Sequence, residues 1–219
     1  MNKLKKYILS EEAIQDNKKY YIDILKSIEN YSIDSDVDGL IKFLEESDFF
    51  VAPGSATLCY NYAGGLCQQS INTYNILINL LDNSETEVSD LDKIIYGLCS
   101  NFYKIGYYES YVKNEKVYSE SGTKFDNLGK FDWKSSIKFA IKPASNRIIT
   151  GSSGLNIFSI LSKYIPLSEE NIIVLSNFFL NTDNDNKVND MPYLINQYPV
   201  LAYLYSAHLI TSYCLEKID

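Results

Sequence analysis

Proline and glycine constrain this chain most tightly between Ala52 and Leu66. Pro53, Gly54, Gly64 and Gly65 fall within thirteen residues, and that density of backbone punctuation dictates a turn followed by a tight loop. Directly behind it, Leu66, Ile71, Tyr74, Leu77, Ile78 and Leu81 recur at helical spacing. The loop is therefore expected to deliver the chain into an amphipathic helix, with Gln69 in its first turns.

Around that centre the chain reads as mainly helical. Ile8, Ile14, Tyr21, Ile24, Leu25 and Ile28 form a stripe that predicts a polar helix to about Asn30, begun by Ser10-Glu11-Glu12. Val37, Leu40, Ile41 and Leu44 predict a second, short helix over 35–46. Residues 1–48 would thus cover the core from one side. A polar connector over 82–92 leads to Leu91, Ile94, Ile95, Leu98, Phe102 and Ile105, which describe a buried helix running to Tyr108. Period-two stretches such as 134–142, bounded by Gly and Pro, predict a β-hairpin inserted over 110–150. Ser168 is placed to begin a capping box after the proline stop at Pro166, and Pro199 opens a last helix to Tyr213.

At 219 residues the chain fits one domain, 1–219, and can bury a sizeable core. Its net charge of -8 argues against gripping long nucleic acid by its phosphates or docking on an anionic membrane. No apolar run reaches membrane-spanning length. Cys59, Cys67, Cys99 and Cys214 show neither a Cys-x-x-Cys pair nor zinc-type spacing, so reduced thiols in a cytoplasmic protein are expected. Abundant Asn, Ile, Lys and Tyr fit an AT-rich coding sequence, as in a low-GC bacterium or its phage. The alternating acids of 181–190 suggest calcium, but a calcium loop begun at Asp183 would need Gly where Val188 stands and Glu where Leu194 stands. A solvated loop is expected there.

Five local patterns resemble, in order, the HD-domain phosphohydrolases of small phage and bacterial type. Ala52-Pro53 through Gly64-Gly65-Leu66 matches the family's "APxS…GGLxxHS", Leu98 to Lys104 its "LLHDlxK", and Gly151 to Asn156 its "GHGekS". Ile160 to Glu170 matches "LLSKfIPLtxEE", and Pro199 to Tyr213 matches "PLAxLLHxADmxAtY". The resemblance implies an HD-domain-like helical bundle with a β-hairpin insertion. It also implies that the family's metal ligands fall on Gln69, Ser100, Asn101 and His208, with Ser152 and Asn177 at two accessory histidines and Tyr205 at another. Lys104 stands where the family keeps its lysine.

No carboxylate remains in that set, and metal catalysis needs a fixed, charged ligand shell. A catalytically inactive member, with no metal and no cofactor, is therefore expected. A Ser–His or Cys–His nucleophile would have to use His208, the single histidine, against Cys59, Cys99 or Ser100 with an acid behind it. The remaining groups, Gln69, Ser100, Asn101, Tyr103, Lys104, Ser152, Asn177, Tyr205 and His208, are hydrogen-bonding and stacking groups suited to a base, a phosphate or a ring. Two functions follow as expectations. One is a protein that binds and sequesters a nucleotide or cyclic nucleotide signal in the former active-site pocket, as a phage counter-defence protein in the host cytoplasm would. The alternative is a protein–protein interaction module, or an inhibitor of a host enzyme, using the HD scaffold. The oligomeric state is left open.

Overall fold

The computed structural model describes residues 8–57, 59–147, 151–178 and 191–216. The chain is mainly α-helical, with one small antiparallel sheet. Helix α1 (Glu11–Lys26) begins where Ser10 accepts the Ala13 amide on its hydroxyl, and acids fill its first turn, satisfying donors the helix cannot pair itself. Asp36 caps α2 (Val37–Glu46) in the same way through Gly39. The central helix is α3 (Gly65–Asp82), entered through Gly64 at φ 79, a left-handed backbone that glycine adopts without steric cost.

The helix read over 91–108 is broken. α4 (Asp90–Lys93) widens into a π turn over Ile94–Leu98 and gives way to a single 3-10 turn at Phe102–Lys104. Beside the break the Ser100 hydroxyl donates to the Gly97 carbonyl. Gly106, at φ 69, then turns the chain out of the bundle. Beyond the sheet come α5 (Ser153–Leu161), α6 (Glu169–Asn177), α7 (Met191–Gln197) and α8 (Val200–Tyr213). α6 carries the capping box at Ser168, completed by the Asn171 side chain.

One apolar core joins these helices. Tyr21, Leu25, Leu40 and Leu44 from the first two helices meet Leu66 and Leu77 of α3, the π turn, and Leu201 and Leu204 of α8. Each fully buried side chain of this size contributes about 1.5–3 kcal/mol, so the bundle's stability is concentrated here. Gly97 lies so close to α3 that a Cβ on it would meet the Tyr74 Cα at 2.8 Å.

The insertion is a three-stranded sheet ordered β1-β3-β2: β1 is Tyr108–Tyr118, β2 Lys124–Asp126 and β3 Gly129–Ile141. β1 and β3 pair antiparallel from Tyr108↔Ile141 to Tyr118↔Phe131 without a bulge. Because facing residues share a side of the sheet, Val112, Tyr118, Phe131, Trp133, Ile137 and Ile141 lie on one face together with Lys116, whose amine sits over the Phe131 and Trp133 rings, while Lys113, Glu115, Lys134 and Lys138 lie on the other face with Tyr111 and Val117. Only Tyr108 and Phe131 of the ribbon are buried. The hairpin expected from alternation is thus present, extended by a short third strand.

Candidate functional site

The loop that organises the sequence is fastened at both ends by backbone. The Gly54 amide donates to the Tyr60 carbonyl (2.9 Å), Gly64 to Val51 (3.1 Å) and Leu66 to Ala52 (3.0 Å). Tyr60 sits at φ 62, a left-handed conformation costly for a residue with a Cβ. Glu216 holds it there: its carboxylate accepts the Tyr60 amide (2.6 Å) and the Tyr62 hydroxyl, and its carbonyl accepts the Cys59 thiol (3.3 Å).

That loop presents the Gly54 carbonyl to Lys104. The Lys104 amine donates to Gly54 O at 2.8 Å and to Gln69 Oε1 at 2.6 Å, while the Tyr108 hydroxyl donates to the same carbonyl at 3.2 Å. Gln69 continues the chain through Nε2 to the Ser212 hydroxyl of α8 (3.0 Å). Five segments, namely the loop, α3, the 3-10 turn, the foot of β1 and α8, therefore meet at one lysine. Gly54 permits the approach, since a Cβ there would stand 2.7 Å from Gln69 Oε1.

Lys104 is 6% exposed and, among the described residues, no carboxylate lies within ion-pair distance. Burial lowers its pKa to about 7, because the charged amine has lost water without gaining a counter-ion. Beside it, Asn101 is fully buried; its amide donates weakly to the Thr73 hydroxyl (3.5 Å), and among the described residues its Oδ1 accepts no hydrogen bond. His208 packs edge-on against Phe178. Removal from water and then the nearby Lys104 charge lower its pKa to about 3, so the imidazole is neutral at physiological pH. Tyr103 lies beneath the Lys104 amine at 5.5 Å, and burial raises the pKa of its hydroxyl.

The structure brings together Gln69, Asn101, Tyr103, Lys104 and His208 from the residues singled out in sequence. Ser100 is buried beside them but spends its hydroxyl on Gly97. The other three serve elsewhere. Ser152 is exposed and caps α5, Asn177 donates to the Ile173 carbonyl one turn back along α6, and Tyr205 is 38% exposed on α8. Thr73, Tyr108, Ser212 and Glu216 belong to the arrangement but carry no sequence signal: the first three are ordinary polar residues within helical or strand patterns, and Glu216 follows the last helix.

The chemistry available is that of neutral donors and acceptors around one amine. Among the described residues no three His, Cys, Asp or Glu side chains gather to hold a metal ion. Desolvation raises the thiol pKa of Cys99 and raises that of Cys67 to about 12, which keeps both out of the nucleophilic thiolate form. No described helix is long and apolar enough to cross a membrane. Comparison with protein-family models, with curated proteins and with solved structures finds no match to this chain.

Proposed function

We propose that this chain is a non-catalytic binding protein that recognises a protein partner with the apolar face of its ribbon. The observation that carries the reading is the exposure of that face: Val112, Tyr118, Trp133, Ile137 and Ile141 are 43–67% open to water. Isolated apolar residues at a surface are ordinary, whereas an aligned apolar sheet face marks an interaction site. The ribbon also differs in charge from the body. Residues 108–142 hold seven lysines and five acids, a net charge of +2, while the remainder holds 13 basic and 23 acidic residues, a net charge of -10. The matching partner surface is apolar at its centre and acidic at its rim. The HD-like order of motifs, with Gln69, Ser100, Asn101 and His208 at the family's metal positions, supports the non-catalytic half of the reading.

The test is photo-crosslinking from position 137, on the apolar face, against position 138 on the opposite face. A partner captured from 137 alone is then purified and titrated. Trp133→Ala combined with Ile137→Ser weakens it by about tenfold or more, as loss of central apolar anchors does, while Lys104→Met leaves affinity unchanged. Equal capture from both faces, or a partner indifferent to the double variant, overturns the reading.

One observation favours a second reading, in which a nucleotide or cyclic nucleotide is sequestered at Lys104. A buried amine with no carboxylate in ion-pair distance among the described residues is what a phosphate would neutralise. Nucleotides tested by thermal shift, each with EDTA and with Mn²⁺, separate the two, since a ligand that binds only the folded chain raises its melting temperature. A chelator-independent shift abolished by Lys104→Met supports sequestration; a flat panel refutes it.

A further inference from the structure

Among the described residues, β1 is an exposed edge of the sheet. The sheet ends at β1 on one side and at three-residue β2 on the other. β2 is too short to template pairing; β1 runs for eleven residues without a proline or bulge, the kind of edge that natural sheets shorten, bend or cover.

The backbone parity of that edge is fixed. Lys142 donates its amide to the Tyr107 carbonyl, and Ser119 donates its amide to the Lys130 carbonyl. Residues 107 and 119 therefore point their backbone groups at β3. By the alternation of an antiparallel ladder, so do the odd-numbered residues between them. Ser110, Val112, Asn114, Lys116 and Tyr118 consequently turn their amides and carbonyls outward, to the open edge.

We infer that β1 pairs antiparallel with β1 of a second copy, with Asn114 on the two-fold axis, joining the two ribbons into one six-stranded sheet. Charge selects this register from the permitted ones. An axis through Lys113, Glu115 or Lys116 sets each of those residues against its own copy, and one through Val112 faces Glu109 with Glu115; like charges directly opposite are unfavourable. With Asn114 on the axis, each Lys113 faces Glu115 of the other copy in the closer, non-hydrogen-bonded pairs, and Tyr111 faces Val117. Lys113 and Glu115 already form an ion pair within the strand at 2.8 Å, so the dimer closes four alternating charges into a ring. The five outward-pointing residues supply about ten interchain hydrogen bonds. Both apolar faces come to lie on the same side of the joined sheet, so self-pairing doubles the surface assigned to the partner above without covering it. The inference depends on the edge and not on that partner.

Sedimentation equilibrium across micromolar concentrations, on the full chain, tests it. Wild type sediments as a monomer–dimer equilibrium. Lys113→Glu alone and Glu115→Lys alone each weaken association by about tenfold or more, since two attractive pairs become repulsive. The Lys113→Glu/Glu115→Lys double variant restores it. The two single variants, mixed, form a heterodimer that neither forms with itself. Asn114→Pro removes an outward amide that the ribbon's own ladder does not use, and gives a folded monomer. A wild-type chain monomeric throughout, or a dimer that ignores the charge reversals and Asn114→Pro, overturns the inference. Loss of dimerisation on Trp133→Ala with Ile137→Ser would place the second copy on the apolar face instead, and also overturns it.

Discussion

The Lys104 amine donates to Gln69 Oε1 at 2.6 Å, so an ammonium and an amide, both buried, hold the centre of the bundle. This contact makes stability depend on pH. In the unfolded chain the amine keeps its ordinary pKa of 10.5, whereas in the folded chain it is lowered to about 7. Between those values the unfolded state binds the extra proton, and folding gains stability as pH rises. Below pH 7 the cost of the buried charge is fully present. Urea titrations between pH 7 and 8, where thiols of the unfolded chain still mostly keep their protons, are expected to show wild-type stability climbing by about 1 kcal/mol over that unit. Lys104→Met lacks that climb.

His208 gives the acid limb. Its folded pKa of about 3 lies below the ordinary 6.5, so the unfolded chain takes up a proton that the folded one refuses across that interval. Its contribution to stability is fully present above pH 6.5 and is lost as pH falls toward 3. His208→Gln is expected to flatten the wild-type decline between pH 6.5 and 4 in thermal melts, and an unchanged slope would remove His208 as its source.

The sequence revealed local devices better than distant convergence. The loop at Pro53–Gly65, the capping box at Ser168 and the alternation of β3 are written in neighbouring residues, and each is present. The break in the helix expected over 91–108, a π turn followed by a 3-10 turn, is not registered by apolar spacing. Gln69 and Lys104 stood out because they follow recognisable motifs. Ser212 and Glu216 did not, since their partners Gln69 and Tyr60 lie 143 and 156 residues away. The loop at 181–190 lies outside the described residues.

Glu216 is expected to be the fastening of the organising loop. Its carboxylate takes the amide of Tyr60 and the hydroxyl of Tyr62, and hydrogen bonds to a charged group contribute about 1.5–3 kcal/mol. Without them, the left-handed backbone at Tyr60 is held by the Gly54 amide on its carbonyl and the Asn72 amide on its hydroxyl. Glu216→Ala should lower unfolding free energy by about 2 kcal/mol and speed hydrogen exchange at the Tyr60 amide. Unchanged exchange there would show that the backbone bonds at Gly54 and Leu66 suffice.

The ribbon and the bundle are expected to separate energetically. From Glu109 to Tyr118, β1 is exposed along its whole length, and the aromatic contacts of Phe131 are to Tyr118 and Trp133, inside the ribbon. The bundle core is built from helices and the π turn without a ribbon residue. Replacing residues 110–139 by a short glycine-containing turn keeps Tyr108 and its bond to Gly54 and brings chain ends that are already paired neighbours together. The shortened chain should therefore melt within a few degrees of wild type, since little apolar area leaves the core and loop closure costs only weakly with length. It should also lose both the partner captured from position 137 and self-association. A collapse in melting temperature would instead show that the ribbon supports the bundle, and would make its exposed face part of the fold's own stability.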